Sequence, residues 1–149
     1  MPKRATEHLC YTDGSAKAGP GAPGGWGYCI VPPEGPRLEG HGKAHGTLAK
    51  IMEYRAVAEA LAVLPQEAVV KVFSDNESLV KNLEQHLATW EARDFARVDP
   101  LLVDSARRIA AAIREKQLQV TWQWIRSHNG NVGNERADAL ANRGCEQAA

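Results

Sequence analysis

Four acidic residues have positions in the sequence that suit a catalytic role: Asp13, Glu53, Asp75 and Asp138. Asp13 follows a β-favouring stretch that begins at Leu9, and Asp75 follows a short apolar stretch. Both acids therefore come at the end of a predicted strand. A carboxylate in such a place is costly to bury, so it must face solvent or meet a cation.

The periodicity of apolar residues predicts the elements that must position these acids. In chain order we expect strands at 9–13, 26–31 and 37–44, a helix at 47–64, a strand at 69–73, helices at 77–90 and 102–113, a strand at 118–124 and a helix at 134–145. A Gly/Pro-rich connection at 16–25 is expected to hold neither helix nor inner strand. The first three strands predict an antiparallel meander, with the charged third strand at a sheet edge.

The helix at 47–64 and the strand that follows it predict a mixed sheet with a right-handed crossover. The strand at 69–73 is almost wholly apolar, so we expect it to be parallel and buried on both faces. On the first strand, Leu9 and Tyr11 share a face with Asp13, and we expect these two apolar side chains to enter the core. Neighbouring strands would then deliver Asp13 and Asp75 side by side, with Glu53 lowered onto them from the helix.

Carboxylates that converge in this way repel one another, and they stay ionised together only if cations bind. Hard oxygen ligands, without cysteine or clustered histidine, favour magnesium or manganese over zinc. Two such ions about 3.5–4 Å apart are the known arrangement for in-line phosphodiester chemistry. The acids therefore indicate a metal-dependent phosphodiester enzyme.

Three of the acids also fit ordinary structural roles when each is taken alone. Asp13 could be a turn aspartate that caps a loop. Glu53 could be a solvated acid of the first helical turn, favoured by the helix dipole. Asp75 could cap the next helix, a role that Ser74 and Asn76 could also fill.

The fourth acid, Asp138, lies near the start of the last predicted helix, beside the inward-facing Ala137. It could instead pair with Arg136 or face water. A polar loop at 126–133 precedes this helix and contains His128, which on its own would be an ordinary surface histidine.

The composition is that of one ordinary globular domain covering residues 1–149, with 44% hydrophobic and 24% charged residues. A net charge of zero argues against a pure nucleic-acid binder. No apolar run is long enough to span a membrane, and no apolar segment follows the basic N-terminus as in a secretory signal. The three cysteines are spaced far apart, which predicts reduced thiols and a cytoplasmic protein.

Several short segments of this chain form a pattern that is specific only when all of them are present in this order. They are Tyr11–Ser15, Gly24–Gly27, Met52-Glu53, Phe73–Asp75, Trp124–Gly130 and Gly133–Asp138. In these segments, and over nearly its whole length, the chain resembles a type-one ribonuclease H. Enzymes of this family cut the RNA strand of RNA–DNA hybrids.

The resemblance implies an α/β fold of the ribonuclease H type. Its five-stranded mixed sheet would have the order 3-2-1-4-5, with strand 2 antiparallel and helices on both faces. The resemblance also implies that Asp13, Glu53, Asp75 and Asp138 are catalytic residues that bind metal. His128 would be the catalytic histidine of a mobile loop, shuttling a proton as the product departs.

The same resemblance implies two Mg²⁺ ions in the substrate complex, with Mn²⁺ as a substitute. One ion would activate water and the other would stabilise the departing 3′ oxygen, which leaves 5′-phosphate and 3′-hydroxyl ends. The partner would be an RNA–DNA hybrid, recognised through its 2′-hydroxyls. Independently of the resemblance, we expect no membrane partner and a monomer by default. The residues expected to contact this substrate are Gly14, Ser15, Lys17, Lys50, Asn76 and Glu135.

Two departures from the family pattern concern substrate affinity. Relatives often carry an Asn-Asn pair before the helix glutamate, where this chain has Ala49-Lys50. Relatives also often carry a basic handle at the place of residues 81–100, which here is not basic. Because phosphate contacts supply much of the affinity for nucleic acid, we expect either weaker hybrid binding or binding through other residues. Candidate phosphate contacts are Lys17, Lys50, Arg126 and Arg136.

Trp122 and Trp124 share the inward face of the strand at 118–124, so we expect them to belong to the core rather than to a base-stacking surface. Three other functions remain open at this point. The chain could be a catalytically weak hybrid-binding module, a nuclease of the same fold that acts on DNA, or a structural partner protein. Intact clustered acids argue against a binding module, because without cations they contribute only repulsion.

Overall fold

The computed structural model describes residues 6–126 and 130–149. Its elements follow the predicted order: β1 (Glu7–Ala16), β2 (Pro23–Val31), β3 (Leu38–His45), α1 (Ala49–Ala62), β4 (Val69–Ser74), α2 (Glu77–Ala92), α3 (Val103–Glu115), β5 (Gln119–Trp124) and α4 (Val132–Ala148). Pro65 follows the end of α1, and proline cannot continue a helix. At the start of α4, the side chain of Asn131 accepts a hydrogen bond from the Asn134 backbone N–H at 2.9 Å.

The strands form one sheet in the order β3-β2-β1-β4-β5, as expected. β1 runs antiparallel to β2 and parallel to β4, and β5 continues the parallel half. β3 lies at the edge, where its charged side chains can face water. The prediction that the first strand ends at Asp13 was wrong, because β1 continues to Ala16 and Asp13 still pairs with Gly27 of β2. The sheet order places this part of β1 beside the carboxyl end of β4.

Helices cover both faces of the sheet. Gly14 of β1 faces α1, since a Cβ built there would meet the backbone of Met52 and Glu53. Gly27 of β2 faces α4, since a Cβ there would lie 2.6 Å from the Ala141 nitrogen. Because side chains alternate along a strand, one face of β1 turns to α1 and the other turns to α4.

The prediction that residues 16–25 contain no inner strand was wrong for the last residues of this stretch. β2 begins at Pro23, so Gly24 and Gly25 belong to an inner strand. A Cβ at Gly25 would lie 2.3 Å from the Ala141 carbonyl oxygen of α4. The glycines therefore permit close packing of a helix on the strand, a reason that local turn chemistry does not show.

The main core lies on the α1 side of the sheet, which corrects the expectation for β1. Cys10 is fully buried in this core, whereas Leu9 and Tyr11 are half-buried on the opposite face. Tyr11 stacks on Phe73 of β4, with ring centroids 4.6 Å apart. The prediction that β4 is buried on both faces was also wrong, because its burial alternates from Val69 to Ser74. α4 packs on β1, β2 and β3, and this face of β4 is only partly covered.

The irregular stretch between α2 and α3 contributes to the core. Phe95 and Val98 are buried there, and Phe95 has a φ of 60°. The cysteines Cys10, Cys29 and Cys145 are buried and form no disulfide. In the part of the chain that the structure describes, no helix has the length and hydropathy to cross a lipid bilayer.

Candidate active site

Three of the predicted acids meet at one edge of the sheet. Asp13, Glu53 and Asp75 each offer a carboxylate oxygen, and these atoms all lie within 4.8 Å of one another. The strand register explains the first two positions. Tyr11 pairs with Phe73 across the parallel strands β1 and β4, so Asp13 and Asp75, two residues further along each chain, come side by side.

Glu53 reaches this edge from α1, which crosses the end of β1 at Gly14. The first turn of α1 contains no acidic residue, so the alternative of a first-turn acid does not apply to Glu53. The alternative for Asp75 fails as well. Asn76 is the N-cap of α2, and its side chain accepts a hydrogen bond from the Leu79 backbone N–H at 3.1 Å.

Asp138 approaches the cluster from α4 and meets Asp13. A side-chain hydrogen bond with Asp138 is one of the causes that raise the pKa of Asp13. The alternative partner, Arg136, instead binds Glu39 of β3 through two hydrogen bonds of 2.7 and 3.0 Å. Asp138 thus stands beside Asp13, although it is outside the group of three acids whose oxygens lie within 4.8 Å.

The electrostatics of the cluster disfavour its charged form. Burial raises the pKa of Asp13 from 3.8 to about 8, with further increases from Asp75 and from Asp138. Asp13 is only 6% exposed. Burial also raises the pKa of Glu53, a hydrogen bond from Asn76 opposes the increase, and the charge of Asp75 adds to it.

This donor set suits a hard divalent cation. It offers several carboxylate oxygens in one small region, and oxygen is the ligand atom that Mg²⁺ and Mn²⁺ prefer. Burial first, and the neighbouring acids second, raise the pKa of Asp13, so its ionised form is disfavoured without a cation. A bound cation would favour the ionised carboxylate, so the residues fit a metal ion on chemical as well as geometric grounds.

Two further side chains hold the strand ends, and sequence reasoning missed both of these roles. Thr12 is buried in β1, and its hydroxyl donates to the Phe73 carbonyl of β4 at 3.1 Å. The indole N–H of Trp124 donates to the Asp75 carbonyl at 3.2 Å. The assignment of Trp124 to the core was wrong, since its side chain is 36% exposed. Trp122, by contrast, packs against the core as expected.

In the sequence, the Thr12 contact was indicated only by the polar character of Thr12 next to the apolar residues of its strand. Nothing in the sequence indicated the Trp124 contact, because its hydrogen-bond acceptor is the backbone carbonyl of Asp75, directly after β4. Such a contact depends on the register between β4 and β5, which pairs Ser74 with Trp124.

The residues expected to contact substrate lie at several places around the acids. The Gly14 backbone N–H donates to Asp13 Oδ1 at 2.9 Å. Ser15 and Lys17 line a surface pocket beside the C-terminal end of α4. Lys50 forms an ion pair of 3.0 Å with Asp99.

Glu135 and Asn76 are the other two residues expected to contact substrate, and His128 is the histidine expected to be catalytic. Glu135 is exposed in the first turn of α4. The side chain of Asn76 is engaged with α2 and with Glu53. His128 lies outside the described residues.

Comparison with known proteins agrees with this geometry. The family model for RNase H matches residues 5–146. A protein named Ribonuclease H from Polaromonas naphthalenivorans strain CJ2 is 40% identical over 143 residues, which cover 94% of this chain and 88% of that protein.

Solved structures give the same fold. The crystal structure of LC9-RNase H1, a type 1 RNase H with the type 2 active-site motif, has a TM-score of 0.81 at 21% identity, covering 100% of this chain and 76% of that one. LC11-RNase H1 in complex with RNA/DNA hybrid has a TM-score of 0.69 at 25% identity, covering 95% and 98%. By its sequence and its fold, with an acidic cluster beside the carboxyl end of β4, this chain belongs to the ribonuclease H family of hydrolytic nucleases.

Proposed function

We propose that this protein is an endoribonuclease that hydrolyses the RNA strand of RNA–DNA hybrids and leaves 5′-phosphate and 3′-hydroxyl ends. The observation that carries the proposal is the convergence of Asp13, Glu53 and Asp75 within 4.8 Å. The complex of LC11-RNase H1 with RNA/DNA hybrid supports the substrate class. Hydrolysis of a phosphodiester at neutral pH is the chemistry for which a cluster of carboxylates and divalent ions is suited.

Mg²⁺ is the cofactor we propose, as two ions in the substrate complex, with Mn²⁺ as a substitute. When bound, these ions would supply the Lewis acidity that activates water and stabilises the departing 3′ oxygen. The residues that would hold them are Asp13, Glu53, Asp75 and Asp138. Because Asp13 is buried and close to two other acids, its carboxyl must lose a proton when a cation is bound.

The chain's own residues supply position and shape. β1 and β4 hold Asp13 and Asp75 on a rigid sheet, and α1 presents Glu53 above them. For His128 we keep the proposal of a proton shuttle during product departure. We also propose that Gly14, Ser15, Lys17, Lys50, Asn76 and Glu135 contact the substrate.

The free thiols of Cys10, Cys29 and Cys145 are in keeping with a reducing, cytoplasmic location. We also propose that the protein acts as a monomer of one domain. Sedimentation of the full chain, alone and with a short hybrid, measures the oligomeric state.

The test is cleavage of a hybrid labelled separately on each strand, in the presence of Mg²⁺ or Mn²⁺. We expect cleavage of the RNA strand alone, with no cleavage of the matching DNA duplex. EDTA, Asp13→Asn and Asp75→Asn should each abolish the activity. Glu115→Gln removes an acid that is exposed at the end of α3 and should leave the activity unchanged.

Two outcomes would contradict the proposal. Tight hybrid binding without cleavage by a folded protein would favour a hybrid-binding module. Cleavage of the DNA duplex would favour a DNA nuclease of the same fold. Ligation of the RNA products tests which bond breaks. Products with 5′-phosphate and 3′-hydroxyl ends should ligate without phosphatase treatment.

A further inference from the structure

We propose that Asn76 is a positioning residue for Glu53: its carboxamide holds one oxygen of that carboxylate and leaves the other to bind a divalent cation. The inference rests on the metal site proposed above. It concerns how the Glu53 carboxylate is oriented towards the ion and which ion that orientation favours.

The contacts of Asn76 determine the orientation of its amide group. Oδ1 accepts a hydrogen bond from the Leu79 backbone N–H at 3.1 Å, and Nδ2 donates to Glu53 Oε2. A backbone N–H requires an acceptor and a carboxylate requires a donor, so the amide cannot be turned over without loss of both bonds. The backbone N–H of Asn76 donates to Ser74 Oγ at 3.1 Å, which holds the main chain as well.

Asn76 is therefore a fixed link between the two sides of the acidic cluster. It follows Asp75 directly in the chain, and the Asp75 carbonyl is itself held by the indole of Trp124 at 3.2 Å. Glu53 belongs to a different element, α1. Its partly buried carboxylate is thus tied to the turn that carries Asp75.

A carboxylate with one oxygen engaged by an amide offers its other oxygen to a metal ion. Mg²⁺ takes six ligands in a nearly regular octahedron at about 2.0–2.1 Å, which single oxygens suit. Ca²⁺ takes six to eight oxygens at about 2.3–2.6 Å and often binds both oxygens of one carboxylate. The contact between Asn76 and Glu53 therefore favours Mg²⁺ over Ca²⁺ at this site.

Capping of α2 is the other role of Asn76, and one substitution separates the two roles. Serine is as good an N-cap as asparagine, so Asn76→Ser keeps the bond to the Leu79 backbone. Its side chain is too short to reach Glu53 in the same way. The variant therefore removes the link to Glu53 while it preserves the start of α2.

The chain offers a matched control on the same helix. Asn82 of α2 donates through its amide to the hydroxyl of Tyr54, the neighbour of Glu53 on α1, at 3.3 Å. Asn82→Ser removes a contact of the same type between the same two helices. It leaves the acidic cluster untouched.

The experiment measures binding of Mg²⁺ and of Ca²⁺ to the full chain by isothermal titration calorimetry, without nucleic acid. For Asn76→Ser we expect about tenfold weaker Mg²⁺ binding, since loss of a group that orients a metal ligand typically costs 10–100-fold in affinity. Ca²⁺ binding should fall less, because a released Glu53 can offer both oxygens. The ratio of the two dissociation constants should then shift towards Ca²⁺ by about threefold or more.

The controls decide between a local and a general effect. Asn82→Ser should bind both ions like the wild type, and both variants should melt within a few degrees of it. If Asn76→Ser bound both ions with wild-type affinities and an unchanged ratio, the inference would be overturned while the proposed function would stand. An equal loss in Asn76→Ser and Asn82→Ser would also overturn the inference. If the wild-type chain bound neither ion without nucleic acid, the inference would be overturned, whereas the proposed function would still be decided by cleavage of the hybrid.

Discussion

Gly14 lies so close to Glu53 that a Cβ built on the glycine would be 2.3 Å from the Glu53 backbone nitrogen. It would also lie 2.5 Å from the carbonyl carbon of Met52. The strand that carries Asp13 and the helix that carries Glu53 therefore touch backbone to backbone. This contact allows acids from two different elements to share one site, and it gives Gly14 a structural role beside the proposed contact with substrate.

Replacement of Gly14 by alanine should separate the two acids. The added Cβ forces α1 away from β1, which we expect to lower the free energy of unfolding by about 1–3 kcal/mol. A displacement of about 1 Å at a catalytic group can cost about 100-fold in rate, so activity should fall by about that factor. Urea unfolding and hybrid cleavage measure the two effects. A calorimetric titration should also show weaker Mg²⁺ binding, because the two acids are separated.

Gly35→Ala is the control for glycine replacement in general. Gly35 has a φ of 91° with no neighbouring atom within 4 Å of a built Cβ. Its replacement should lower stability through backbone strain and leave Mg²⁺ affinity unchanged. Equal loss of Mg²⁺ affinity in both variants would contradict the role of the contact between Gly14 and Glu53.

Asp13→Asn should stabilise the metal-free protein at high pH. The pKa of Asp13 is raised from 3.8 to about 8, so its stabilising contribution is complete below about pH 4 and is lost as pH rises through 8. The asparagine carries no such charge. We therefore expect the variant to be more stable than the wild type by on the order of 1–3 kcal/mol at pH 9, and by much less at pH 5.

Urea unfolding in EDTA at these two pH values measures the difference. A constant difference between pH 5 and pH 9 would show that the Asp13 carboxyl is already ionised in the folded protein at pH 5, so that its pKa is not raised. Added Mg²⁺ should reverse the order at high pH, because it stabilises only a protein that binds it.

Affinity for Mg²⁺ should rise with pH. A cation must displace the proton from Asp13, whose pKa is about 8. We expect the dissociation constant to fall by up to about tenfold per pH unit below 8 and to level off above it. Titration calorimetry from pH 6 to pH 9.5 in buffers of different ionisation enthalpy counts the protons released. A flat profile without proton release would contradict the prediction.

Trp124→Phe should reduce activity more than stability. The ring is partly exposed, and phenylalanine loses the N–H that donates to the Asp75 carbonyl. A hydrogen bond of about 0.5–1.5 kcal/mol that holds a catalytic turn corresponds to about a 2- to 12-fold loss in kcat. Trp122→Phe, on the same strand, removes atoms packed against the core and should instead lower the melting temperature. The reverse pattern would show that Trp124 has only a packing role.

Lys50 should contribute to hybrid binding in competition with Asp99. The two side chains form an exposed ion pair at 3.0 Å, which costs little to separate. Lys50→Ala should weaken hybrid binding at low salt and reduce the slope of log affinity against log salt by about 1. Asp99→Asn should strengthen binding at low salt. An unchanged salt slope in Lys50→Ala would show that Lys50 makes no phosphate contact.

Two acids of the candidate site could be predicted from the apolar stretches that precede them, although only Asp75 directly follows the end of a strand. Asp13 and Asp75 follow stretches of apolar, β-favouring residues, and such stretches are visible along the chain. The strand order came from the resemblance to ribonuclease H and is confirmed by the sheet. Periodicity alone records only which side chains of one element share a face.

The tertiary structure decided everything that depends on distance between elements. It placed the main core on the face of Cys10 rather than that of Tyr11, and it put glycines of β2 under α4. It also gave Asn76 and Trp124 their contacts with Glu53 and with the Asp75 backbone. The physical reason is that such contacts depend on register and on the closeness of two backbones, to which residues far apart in sequence contribute together. The sequence by itself determined which residues could bind a metal, and the packing of α1 and α4 on the sheet decided how they meet.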